Sequence, residues 1–355
     1  MKEKVTFLTN LDPGGITTVL NHLFTSKEFK NKFDFSVFLF KHSEYSEMLD
    51  QMNDFVQIDN PKSQNKIINT IRLIKFLVSF DGNAVVCLGP IQVKFAEKIR
   101  KIFNKSYKII SWIHVSSIDP GIGNKINNLK YADYNLAIST GIKRELISLG
   151  ISTSKIGLVY NPIQREVKTI TESHPCKFIY IGRIVLDGQK NLRGLLECLS
   201  EIKGDWSIDI YGSGPDMLET EQIISSDKSL SKRVNLKGWS KNPFNEIENA
   251  NALLLNSNYE GLPMVIAEGM SYGIPAIATN CKTGPEDLIK NGVNGYLYPV
   301  GDYKILSKYL KKFIKYEVNF NNKKIKDLIE FLYNDNYDQR FIYLLEKGIN
   351  SRIKD

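Results

Sequence analysis

Cysteine is scarce and scattered in this chain. Its four cysteines, Cys87, Cys176, Cys198 and Cys281, form no C-x-x-C pair, so neither a zinc site nor a disulfide framework is written into the sequence. Long apolar runs are also missing. The most apolar stretches, such as Val5–Thr9 and Ala252–Leu255, fall far short of the roughly 20 residues a spanning helix needs. The start, Met1-Lys2-Glu3-Lys4-Val5, enters a strand-like segment directly with no signal-peptide core, which sets the expectation of a cytoplasmic protein. There is no D-x-D triplet, no His/Cys cluster, no Walker loop or G-x-G-x-x-G, and no G-x-S-x-G elbow. The expected metal set is therefore none.

The composition that remains is that of a globular protein. A hydrophobic fraction of 42% over 355 residues excludes disorder as the main state. The length suggests two domains of roughly 150–200 residues, each with its own core. The net charge of +8 is uneven. Residues 1–160 hold 21 Lys and Arg against 14 Asp and Glu, whereas the remainder holds 26 against 25. A basic first half suits an anionic membrane surface or an anionic ligand; nucleic acid is not expected, because no recognition motif accompanies the charge.

Short apolar runs alternate with helical periodicity along the whole chain. In the first half, strands are predicted at Val5–Thr9, Phe35–Phe40, Ala84–Leu88, Lys108–Ile113, Asn135–Ile138 and Ile156–Tyr160, with helices over Ile67–Phe80 and Gly141–Leu149. A polar stretch after Asn161-Pro162 marks a boundary. A second series follows, with strands Phe178–Ile181, Ser207–Tyr211, Val234–Leu236, Ala252–Leu255 and Ala276–Ala278, and helices Asn191–Glu201 and Pro263–Tyr272. Beyond Asp302 the pattern is helical and lysine-rich. This alternation predicts two open parallel sheets, each binding ligands at the C-terminal ends of its strands.

Six features could carry chemistry there. In Tyr259–Gly269, a glycine-bearing loop leads through Pro263 into a helix N-terminus, a place for a diphosphate, with Glu260 and Glu268 on either side; a plain capped helix reads the same way. Gly182-Arg183 and Lys190 offer a fork of donors and a point charge for phosphate oxygens, or are solvated cations. Gly14-Gly15 opens a helix ahead of which a ligand could approach, or is only a turn. His114 ends a strand as a ligand contact or a core histidine. Gly212-Ser213-Gly214 and Lys237-Gly238-Trp239 suit a nucleoside pocket or are ordinary turns. Finally, Phe95, Ile99, Ile102 and Phe103 fall on one face of a lysine-rich helix over 94–105, which either lies on lipid or packs on its own sheet.

In combination and in order, these features resemble family 4 of the retaining glycosyltransferases. Gly14-Gly15, His114, Ala137-Ile138-Ser139, Tyr160-Asn161-Pro162, Gly182-Arg183, Gln189-Lys190-Asn191, Gly212-x-Gly214 and Glu260 to Pro275 carry the likeness over residues 5–302. Within the family, Ser111–His114, Ala132–Ser139, Gly188–Lys190 and Thr283-Gly284-Pro285 are similar to segments of the lipopolysaccharide 1,6-galactosyltransferases. The resemblance implies an α/β GT-B fold: two facing Rossmann-like domains with a cleft between them and a C-terminal helix crossing back to the first. It implies an acceptor-binding domain over 1–162, a nucleotide-sugar domain over 163–335, and a returning helix over 336–355.

It also implies a UDP-sugar donor without a metal or other cofactor. Arg183 and Lys190 would hold the diphosphate and Glu268 the ribose hydroxyls. Glu260 with the Gly261-Leu262-Pro263-Met264 backbone would meet sugar and phosphate. His114 would touch the donor sugar and Gly15 the phosphate. Gly14, Gly182, Gly212 and Trp239 complete the expected donor site. The Asp12-Pro13 step ahead of Gly14 departs from the family pattern. The expected reaction moves a hexose, with galactose favoured over glucose and GlcNAc, to a cell-surface glycan or glycolipid acceptor, on a protein peripheral at the inner face of the cytoplasmic membrane. A nucleotide-sugar epimerase on the same architecture and a non-catalytic sugar-binding partner of another transferase are the competing readings.

Overall fold

The computed structural model describes residues 2–11, 15–43, 52 and 56–351. The chain divides into two compact units, one of Met1–Pro162 with Asp335–Asp355 and one of Ile163–Asn334.

In the first unit, seven parallel strands are described: β1 (Glu3–Thr9), β2 (Phe33–Leu39), β3 (Gln57–Asp59), β4 (Ala84–Cys87), β5 (Lys108–Ile113), β6 (Tyr134–Ala137) and β7 (Ile156–Leu158). They lie in the order β3-β2-β1-β4-β5-β6-β7. Helices cover both faces, so the central strands are buried on both sides. This is why Ala84–Cys87 and Tyr134–Ala137 are apolar or fully buried throughout. The last predicted strand is shorter than its apolar run, because Tyr160 turns the chain in a left-handed conformation (φ 60°). The core is aromatic: Phe7 packs edge-on against Phe24 and Phe35, with ring centroids 5.3 Å apart in each pair. The C-terminal helix Asn334–Ile349 closes it, setting Phe341 5.1 Å from Trp112 and 5.5 Å from Phe29.

The second unit repeats the plan with β8 (Cys176–Ile181), β9 (Trp206–Tyr211), β10 (Val234–Gly238), β11 (Ala252–Leu255), β12 (Ala276–Thr279) and β13 (Gly295–Tyr298), in the order β10-β9-β8-β11-β12-β13. All neighbouring pairs are parallel. Phe178, Trp206 and Phe313 fill the core below β8 and β9. Both sheets therefore have the Rossmann strand order. In each, the chain reverses direction between the first strand and the fourth, which leaves a crevice at the strand C-termini.

Candidate active site

In the second unit the reversal falls between β8 and β11. The loops after these strands, residues 182–191 and 256–263, are tied together. The Asn258 backbone N–H donates to Gln189 O at 2.8 Å, and its side-chain amide donates to Gly188 O at 2.6 Å. Asn256, fully buried, donates to Asn191 O at 2.7 Å and accepts from the Tyr298 hydroxyl at 2.7 Å. Lys190 completes the tie, with Nζ 2.7 Å from Glu260 Oε1. The two side chains are only 16% and 9% exposed, so the pair is weakly screened by water. The family resemblance implies Lys190 on a diphosphate and Glu260 on sugar and phosphate. Here each is the other's partner.

The loop after β11 rests in turn on the loop after β12. The Thr279 hydroxyl donates to Ser257 O at 2.5 Å, and the Thr283 hydroxyl donates to Glu260 O. Gly284 lies beneath at φ 96°, where a Cβ would come within 2.8 Å of Gly261 O. Gly261, Leu262 and Pro263 are thereby held in place ahead of the helix Met264–Ser271. Pro263 stands at the N-cap of this helix rather than in its first turn, and its side chain offers no hydrogen bond to the first N–H groups, of which Ile266 N–H donates to Pro263 O at 3.0 Å. Glu268 is half-buried within the helix, and its carboxyl group has no hydrogen bond or ion pair among the described residues; burial pushes its pKa up.

Across β8, Gly182 donates its N–H to Tyr211 O at 3.0 Å, and Gly212 donates to Gly238 O at 2.7 Å. A Cβ on Gly212 would lie 1.9 Å from Gly182 O, and one on Gly214 would lie 2.1 Å from Ile184 O. These glycines are required by the close approach of two loops at the crevice. Arg183 stands exposed above, with no hydrogen bond or ion pair from its guanidinium among the described residues. Trp239 follows Gly238 and is 69% exposed. The strand C-terminal edge of the sheet thus carries a free guanidinium, an ammonium held by a carboxylate, a helix start without a side-chain cap bond and an exposed aromatic ring. That set suits an anionic nucleoside diphosphate.

In the first unit, His114 follows β5 and is buried, its ring 4.6 Å from that of Trp112. Burial pushes its pKa down to about 3, so the imidazole is neutral at physiological pH, and Nε2 has no hydrogen-bond partner. The loop beyond it is clamped by Glu145, a residue the sequence patterns do not single out. This buried carboxylate accepts from the Ser116 hydroxyl at 2.7 Å and from the Ser117 N–H and hydroxyl at 2.8 Å each. Gly15 is exposed at the start of the helix Gly15–Thr25, with open space where a Cβ would stand. Gly14, with Asp12 and Pro13, lies outside the described residues.

Asn256 and Asn258 are the other site-building residues that the motifs leave out, whereas Thr283 lies in the Thr283-Gly284-Pro285 segment that the resemblance already marks. The polar Asn256-Ser257-Asn258 run directly after an all-buried strand is the signal that could have found the two asparagines.

Two Rossmann-ordered units, each with such a crevice, are the architecture of the GT-B class. The chain belongs to the glycosyl transferases group 1 family, whose description matches residues 164–334. It is 34% identical over 287 residues to the lipopolysaccharide 1,6-galactosyltransferase of Escherichia coli (strain K12), a match spanning 79% of each chain. Among solved structures it is similar to the apo form of the lipopolysaccharide outer core galactosyltransferase WaaB, with a TM-score of 0.85, 30% identity, and coverage of 97% of this chain and 99% of that one. It shares its fold with Anabaena HepE, solved with UDP-glucose, at a TM-score of 0.79 and 16% identity over 97% and 99% of the two chains.

Proposed function

We propose that the protein transfers a hexose, galactose foremost, from a UDP-sugar to a hydroxyl of a cell-surface glycan such as a lipopolysaccharide core. The observation that carries this is the tied loop pair at the β8–β11 crevice, in which Lys190 and Glu260 form one unit beside the free Arg183. The names of the relatives support galactose and a lipopolysaccharide acceptor.

Arg183 and Lys190 take the diphosphate, with the N-terminus of the helix Met264–Ser271 facing the same charge. Glu268 takes the ribose hydroxyls, and the exposed Trp239 borders the base. Donor binding draws Lys190 toward phosphate and frees Glu260 to accept from a sugar hydroxyl. In the first unit, the neutral His114 with its unpartnered Nε2 and the open position at Gly15 are the candidate ligand contacts. As transfer proceeds, the anomeric carbon–oxygen bond to UDP breaks and a bond to the acceptor oxygen forms on the same face. The acceptor proton passes to the departing phosphate oxygen. Charge growing on UDP is met by Arg183, Lys190 and the helix start, and the reaction needs no divalent metal.

The basic first half holds the protein at an anionic membrane face, where such acceptors are assembled. Incubation with UDP-galactose and a truncated lipopolysaccharide core tests the reading: a new galactosyl linkage with retained configuration is expected in EDTA. Sugar interconversion without any acceptor product would overturn it in favour of an epimerase.

A further inference from the structure

The two helices that follow β3 and β4, Lys66–Ser79 and Pro90–Ile102, pack against each other. Both connections run in the same direction across the sheet, so their right-handed crossovers place both helices on one face. Each buries one side against the strands, the first through Leu73 and Leu77 and the second through Val93, Ala96 and Ile99.

The opposite side of such a helix is ordinarily polar. Here it is not. Ile67, Ile71, Ile74 and Val78 recur at i, i+4, i+7 and i+11, with Ile67 71% and Ile71 48% exposed. On the neighbouring helix, Ile91 and Ile102 are 55% and 61% exposed, and Phe103 just beyond its end is 46% exposed. The sequence expects Phe95, Ile99, Ile102 and Phe103 to act as one stripe. The fold splits them: Ile99 is buried, Phe95 half-buried, and Ile102 and Phe103 face water.

The charge is concentrated in the same place. Residues 62–105 carry nine Lys and Arg against two acids, Asp81 and Glu97. Arg72 is taken by Asp59, Arg100 by Asp133, and Lys101 by Glu97. Lys66, Lys75, Lys94 and Lys98 have no ion pair among the described residues.

We propose that this two-helix face lies on an anionic lipid bilayer, with Ile67, Ile71, Ile102 and Phe103 entering the interface between lysine ammonium groups. The inference rests on the reading of the basic half as lipid-facing and adds insertion of a named apolar surface. Exposed apolar side chains interleaved with free lysines match the two components of such binding, apolar burial and attraction to anionic headgroups. A second copy of the chain fits less well, because a self-complementary contact would set two faces of like charge together.

Flotation of the full chain with phosphatidylcholine vesicles, with and without phosphatidylglycerol, tests it. The protein should bind the anionic vesicles and not the neutral ones. The triple variant Ile67→Ser/Ile71→Ser/Ile102→Ser should lose roughly tenfold or more of that binding, while UDP release in solution stays unchanged. Each of Lys66→Ala, Lys75→Ala and Lys98→Ala should lose roughly fivefold. Tryptophan emission of an Ile102→Trp variant should shift to the blue on anionic vesicles. Wild-type binding by the isoleucine variant, with no blue shift, would overturn insertion and leave charge attraction standing alone. No binding of the unmodified chain would overturn both. A dimer that the isoleucine substitutions dissolve, without vesicle binding, would assign the face to a second copy.

Discussion

His114 shows what burial does to a single side chain. The sequence offers it as a cleft ligand or a core histidine, and the structure makes it buried with a free ring nitrogen. Its pKa is pushed down to about 3 from an ordinary value of 6.5. The unfolded chain therefore takes up a proton that the folded chain refuses. Stability from this residue is full above pH 6.5 and is lost as pH falls toward 3. Acid denaturation of His114→Gln should begin at a lower pH than that of the unmodified protein, which circular dichroism would show; coincident curves would remove the linkage.

Lys190 is a stronger case of context. Nothing local marks it as the partner of a carboxylate 70 residues away, so its pairing was not legible, although its candidacy was. Lys190→Ala should lower transfer by roughly 10²–10³. Glu260→Ala, which strands the buried ammonium, should cost about 3 kcal/mol of stability. A denaturant midpoint equal to wild type for Glu260→Ala would show that the pair does not contribute to holding the loops.

At the scale of the element, loops position this chemistry and strands position the loops. The central strands were legible because burial on both faces makes them continuous apolar runs, as in Ala252–Leu255. Strands β3 and β13 were not: they are short, stand at sheet edges, and keep exposed or half-buried residues. The glycines at 212 and 214 were legible as turns, but their cause lies across the sheet, in Gly182 O and Ile184 O. Gly214→Ala would collide with backbone and should force the loop apart, lowering the melting temperature and weakening donor binding together. Calorimetry with UDP would detect both, and unchanged values would mean that the loop pair yields without cost. Glu145→Ala should free the loop after β5 and raise backbone exchange at Ser116 and Ser117 while leaving UDP affinity in the second unit intact.

At the scale of the whole molecule, the chain ends in the unit where it began. Asp338 in the last helix accepts from His22 Nε2 at 2.7 Å and from the Ser26 hydroxyl at 2.9 Å, and Phe341 sits between Phe29 and Trp112. No periodicity announces these contacts, because they join residues more than 300 positions apart. Asp338→Ala should cost about 2 kcal/mol in the stability of this unit, read as a lowered unfolding midpoint.

The account as a whole stands on donor use. The direct measurement is UDP release by the full chain from UDP-galactose, UDP-glucose and UDP-GlcNAc, in EDTA, beside the Lys190→Ala variant. The account predicts release that is fastest from UDP-galactose, independent of metal, and lost with Lys190. Release that Lys190→Ala leaves intact, or a chain that takes none of the three UDP-sugars, would contradict it.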